Sequence, residues 1–73
     1  MEQDYMIHMA NQIAMFFEPY PHDEALAGVV DHFKSFWEPR MRKQIEEYVA
    51  QTGGSGLHQL AVEAVKRLTP ASA

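Results

Sequence analysis

The chain has 73 residues, no cysteine, and a formal net charge of −4 from six basic and ten acidic side chains. That length holds one domain at most and excludes a nucleotide-binding sheet, a barrel or a two-domain cleft. The lack of cysteine excludes a disulfide scaffold, a thiolate zinc site and iron–sulfur ligation, and it fits a reducing cytosol.

An apolar fraction of 47% is that of a folded chain. The acidic balance argues against nucleic acid and against anionic membranes as partners, since both recruit cationic surfaces. No apolar run approaches the ~18 residues of a membrane span. The segment Met1-Glu2-Gln3-Asp4 is acidic, unlike a signal or transit peptide. Below about 70–80 residues a single core seldom supplies more than ~3–5 kcal/mol. Without disulfides or a metal set, association with itself or with a larger partner is the expected source of further stability.

Four segments carry helical periodicity, and strand alternation is absent. The first is expected from about Tyr5 to Phe17, with Met6, Met9, Ala10, Ile13, Phe16 and Phe17 on one side. His8, Asn11 and Gln12 lie opposite, and Pro19 and Pro21 end the segment. The second runs from about Asp23 to Trp37, with an apolar stripe of Leu26, Val29, Val30, Phe33 and Trp37 and with Phe36 at its edge. Gly28 on the other face costs roughly 1 kcal/mol relative to alanine, so it either lies close to another backbone or is simply tolerated.

The third segment starts at Pro39, a residue suited to the first helical position, and runs to about Gln51. Its stripe of Met41, Ile45, Tyr48 and Val49 is narrower, which leaves an arm open as an alternative to a place inside a compact bundle. The run Thr52-Gly53-Gly54-Ser55-Gly56 then breaks the chain. The fourth segment is expected from about Gly56 to Leu68, capped by Ser55, with a Glu63–Arg67 pair on its surface. Pro70 closes it, and Ala71-Ser72-Ala73 reads as a frayed tail. Together these segments predict an all-α fold, a small bundle of three to four short helices. Residues 1–73 form one domain with an ordered core of about 5–68.

Phe16-Phe17-Glu18-Pro19 recurs as Phe36-Trp37-Glu38-Pro39. The reading is two helices that end alike, each docking an aromatic pair on the core before proline breaks the chain.

Chemistry-bearing residues are sparse. His8, His22, His32 and His58 lie on four different segments, without the i, i+4 spacing of a helical metal site. Asp23-Glu24 and Glu46-Glu47 are adjacent in sequence, and adjacent helix positions do not face each other. Gly53-Gly54-Ser55-Gly56 lacks the lysine and the preceding strand of a phosphate loop. Neither a catalytic nor a metal constellation is expected.

Three of the six basic residues fall in Arg40-Met41-Arg42-Lys43, directly after Trp37. They occupy the first turn of a helix, where each cation is disfavoured by about 0.3–1 kcal/mol. Two readings stand. One is an intramolecular partner, such as Glu38, Glu46 or an acid on another helix. The other is a partner-binding surface of Trp37, Arg40, Arg42 and Lys43, because arginine beside tryptophan is a common interface composition and suits a carboxylate or phosphate. Met15 projects from the polar side of the first helix, as a lone exposed apolar residue or as part of such a patch.

A string of local motifs goes further. Met9-Ala10-Asn11-Gln12-Ile13-Ala14 runs into Phe16-Phe17, and Tyr20-Pro21 precedes Glu24-Ala25 and Gly28-Val29-Val30-Asp31-His32. Phe36-Trp37 leads into Pro39-Arg40-Met41-Arg42, and Gly56-Leu57, Leu60 and Ala64-Val65 close the pattern. In this order the chain resembles the delta subunit of soluble NAD-dependent, molybdenum-containing formate dehydrogenase, over about residues 8–68. The resemblance implies a non-catalytic accessory subunit that stabilises the complex or assists its maturation around the molybdenum cofactor. It implies a catalytic alpha subunit as partner, in a complex carrying molybdenum pterin, iron–sulfur clusters, FMN and NAD, with none of these on this chain. It also places Trp37, Arg40 and Arg42 against the catalytic subunit or the phosphates of its cofactor. The alternative is a self-associating helical module, a homo-oligomer unrelated to formate oxidation.

Overall fold

The computed structural model describes residues 1–68, so the expected helix stop at Pro70 and the tail Ala71-Ser72-Ala73 lie outside the described residues. Four helices follow one another: α1 (Gln3–Phe17), α2 (His22–Phe36), α3 (Pro39–Thr52) and α4 (Gln59–Leu68). No strand occurs among the described residues. α4 packs against all three other helices, with α2 its most extensive neighbour, and α1 also packs on α2.

One core joins the four helices. α1 contributes Met6, Ala10 and Ala14, and α2 contributes Ala25, Leu26, Val29 and Phe33. α3 adds Ile45 and Val49, and α4 adds Leu60, Ala61, Val62, Ala64 and Val65. Phe33, Met6, Ile45, Val29 and Val65 are the largest of the fully buried side chains. α3 is not an arm, because burial of Ile45 and Val49 against α4 anchors it in the common core.

The helix ends follow local chemistry. The Glu2 side chain accepts the Tyr5 amide at 3.1 Å and caps α1. Pro39 occupies the first position of α3. Gly53 ends α3 in the left-handed region at φ 76°, with its amide donating to the Val49 carbonyl. α4 starts later than expected: Ser55 lies in the preceding loop, and His58 takes the cap position. The His58 carbonyl accepts the Ala61 and Val62 amides, and its Nδ1 accepts the Leu60 amide at 3.0 Å. Nε2 is therefore the protonated nitrogen of the neutral ring, and it donates to Glu18 Oε2 at 3.3 Å.

Gly28 faces Phe17, not another backbone. A Cβ at that position would lie 2.5 Å from the Phe17 ring, so the ring occupies the space that alanine would need.

Candidate functional site

The two Phe-aromatic-Glu-Pro segments place their rings in opposite directions. Phe17 is half-buried over Gly28 and Trp37 is buried, but Phe16 is 67% exposed and Phe36 is 73% exposed. The expected docking of both aromatic pairs on the core holds only for the second ring of each. Within α1 the reason is angular, because adjacent helix positions differ by about 100°; after α2, Trp37 leaves the helix in an extended conformation while Phe36 stays on its last turn.

Trp37 closes α2 as its C-cap and lies edge-on to Phe33, with ring centroids 4.7 Å apart. At 3% exposure its ring is a core group of the isolated chain. Its Nε1–H is buried without a hydrogen-bond partner among the described residues.

Arg42 finds an intramolecular partner, but not one of the expected carboxylates. Its Nη1 donates to the Trp37 carbonyl at 2.5 Å and lies 3.3 and 3.4 Å from the Lys34 and Phe33 carbonyls. These carbonyls lie at the C-terminal end of α2, where the helix dipole is negative, and that of Phe33 also accepts the Trp37 amide. A cation unfavourable for α3 is thus favourable for α2. All three contacts are made by Nη1, and the Arg42 side chain is half-buried. Arg40 and Lys43 remain exposed at the start of α3, and Met15 is 55% exposed on α1.

A second cluster was not legible from spacing. His22 and Glu63 meet at 3.1 Å, and His58 and Glu18 at 3.3 Å. Both pairs line one cleft of about 280 Å³, with Tyr20 beside them. Glu63 thus pairs with α2 and leaves the expected Glu63–Arg67 contact unused. Each pair ties an element near the α1–α2 corner to α4 or the residues leading into it. Among the described residues, no three histidine, aspartate or glutamate side chains are placed to hold a metal ion.

Asn11 lies on the side of α1 opposite the apolar stripe, but its side chain is not left to solvent. Its Nδ2 donates to the Gly56 carbonyl at 2.9 Å and its Oδ1 accepts the His58 amide at 2.7 Å. One side chain therefore holds the loop that aims α4 into the core. An apolar groove of about 340 Å³ lies between α1 and α2, lined by Gln12, Ile13, Phe16, Phe17 and His32. The His32 ring stacks on Phe36 with centroids 4.8 Å apart.

No described helix is long and apolar enough to cross a membrane. No curated protein and no solved structure matches the chain. The profile of the NADH-dependent formate dehydrogenase delta subunit FdsD matches residues 5–65, which run from the first turn of α1 into α4. A match over so much of the sequence shows the family: this chain belongs to the delta subunits of NADH-dependent formate dehydrogenase.

Proposed function

We propose that the chain is a non-catalytic accessory subunit that binds the catalytic alpha subunit of a cytoplasmic, molybdenum-containing formate dehydrogenase. There it stabilises the complex or assists its maturation around the molybdenum cofactor. The family match across all four helices carries this reading. The local chemistry supports it: Arg42, His22, His58 and Asn11 are engaged in holding the helices together. In this reading the molybdenum pterin, iron–sulfur clusters, FMN and NAD belong to the partner subunits, and this chain supplies shape and surface.

The test is affinity capture of the tagged chain from its host grown on formate, with bound proteins quantified by mass spectrometry. Recovery of the large formate dehydrogenase subunits is the expected result, and recovery of the bait alone overturns the reading. Molybdenum content of the alpha subunit purified with and without this chain then separates the two roles. Loss of metal identifies maturation, and full metal in a complex that dissociates identifies stabilisation.

A further inference from the structure

We infer that the end of the molecule where α2 and α4 finish and α3 begins docks on a carboxylate-rich patch of the large subunit. The inference rests on the subunit reading and names the surface it uses and the chemistry that surface meets.

The fold collects the cations. Glu63 of α4 meets His22, the first residue of α2, while Arg67 shares a cleft of about 260 Å³ with Lys34, both near their helix ends. α2 and α4 therefore run parallel. The Lys34 carbonyl lies 3.3 Å from Arg42 Nη1, which brings the start of α3 to the same end. Lys34, Arg40, Arg42, Lys43, Lys66 and Arg67 are all six basic residues of the chain, and all lie near these three helix termini. Asp31, which lines the cleft, Glu38 and Glu46 are the acids set among them.

Arg42 is used inside the fold. The other five are exposed, and among the described residues none of their side chains makes a hydrogen bond or an ion pair, although the chain holds ten acids. Arg40 and Lys43 moreover stand at the start of α3, where the helix dipole disfavours cations. No described contact offsets that placement, as the α2 carbonyls do for Arg42.

Charge separates the occupants. A whole-chain charge of −4 repels an extended polyanion beyond the screening length, so this end suits a compact set of carboxylates at contact range. A second copy offers too few of them. The opposite end holds Glu18, Asp23, Glu24 and Glu63, but His58 and His22 already engage Glu18 and Glu63. A basic end on an acidic end is also a head-to-tail contact, which leaves one end of each pair open. Acids of a large subunit, arranged against five exposed cations, set both encounter rate and register.

The experiment is affinity capture of the tagged chain from nuclease-treated lysate of the formate-grown host. It compares wild type, Arg40→Glu/Lys43→Glu and Arg40→Lys/Lys43→Arg. Anions suit the start of α3, so the reversed variant is expected to keep the wild-type circular dichroism spectrum and to melt at or above wild type. Its recovery of the large subunit is expected to fall at least about tenfold, while the charge-preserving variant stays near wild type. Wild-type capture is expected to weaken as salt rises from about 0.1 M to about 1 M, across which the screening length falls from about 10 Å to about 3 Å. A zero-length carbodiimide cross-link is expected to join Lys34, Lys43 or Lys66 to an aspartate or glutamate of the large subunit, a readout that needs no substitution. Full recovery by the folded reversed variant overturns the inference and leaves the subunit reading intact. Salt-insensitive wild-type capture without a cross-link does the same. A wild-type chain that captures no dehydrogenase subunit, with or without nuclease, overturns both. Capture seen only without nuclease assigns this end to nucleic acid and overturns the inference. Self-association of the free chain that the reversed variant loses, with capture unchanged, assigns it to a second copy and likewise overturns the inference.

Discussion

Arg42 opens α3 and completes α2, its guanidinium donating to the Trp37 carbonyl. One side chain thereby sets the corner between two helices separated by a two-residue junction, Trp37-Glu38. Arg42→Ala removes a charged donor from a partly buried site and is expected to cost about 1.5–3 kcal/mol. Urea denaturation measures this. Arg42→Lys retains the charge without the planar fork and should fall between the two. Arg40→Ala is expected to change stability by less than about 0.5 kcal/mol. If the Arg40→Ala/Arg42→Ala pair weakens assembly, Arg42→Ala alone, measured for both stability and assembly, separates an effect through the fold from a lost contact.

Gly28 and Phe17 form a matched pair. Alanine at 28 gains about 1 kcal/mol of helix propensity but drives its Cβ into the ring, and overpacking of this kind costs about 1–3 kcal/mol. Gly28→Ala is expected to destabilise the wild type by about 1 kcal/mol. In a Phe17→Leu background the same substitution should become stabilising. A double-mutant cycle from thermal or urea melts reads the change of sign, and an unchanged sign would refute the contact.

Asn11 should be the most costly polar substitution on α1. Asn11→Ala removes two hydrogen bonds to the loop before α4, and about 1–3 kcal/mol is expected. Asn11→Asp keeps the acceptor for the His58 amide, loses the donor to Gly56, and places a negative charge near the α4 N-terminus, where the dipole favours it. It is therefore expected to cost less than alanine. Amide exchange at His58 provides a local readout, fastest in Asn11→Ala.

Trp37 combines a large buried ring with an unpartnered Nε1–H. Trp37→Phe loses volume but also removes a donor whose burial costs about 1–3 kcal/mol, so a net change within about 1.5 kcal/mol is expected. Trp37→Ala should cost about 3–5 kcal/mol, enough to unfold most of a domain this small. Denaturant midpoints distinguish these outcomes from a ring that contacts only a partner, whose removal would leave the free chain unchanged.

The all-helical architecture and most of the core were readable in the sequence, because helical periodicity and proline breaks act over a few residues. Met6, Ala10, Leu26, Val29, Phe33, Ile45, Leu60, Ala64 and Val65 fall on the inward faces that their spacing predicts. Order along the chain also carried the family, through motifs spread from α1 to α4. What spacing left open were the partners chosen across large sequence separations. Asn11 reaches 45 and 47 residues along the chain, and the two histidine–glutamate pairs span 40 and 41. Arg42 selected backbone carbonyls, which no residue pattern advertises, and Phe17 claimed the space left by Gly28. Periodicity says which face of a helix turns inward. Only packing in three dimensions decides which neighbour meets that face, and hence which side chains are used up inside the fold and which, like Phe16 and Phe36, remain on its surface.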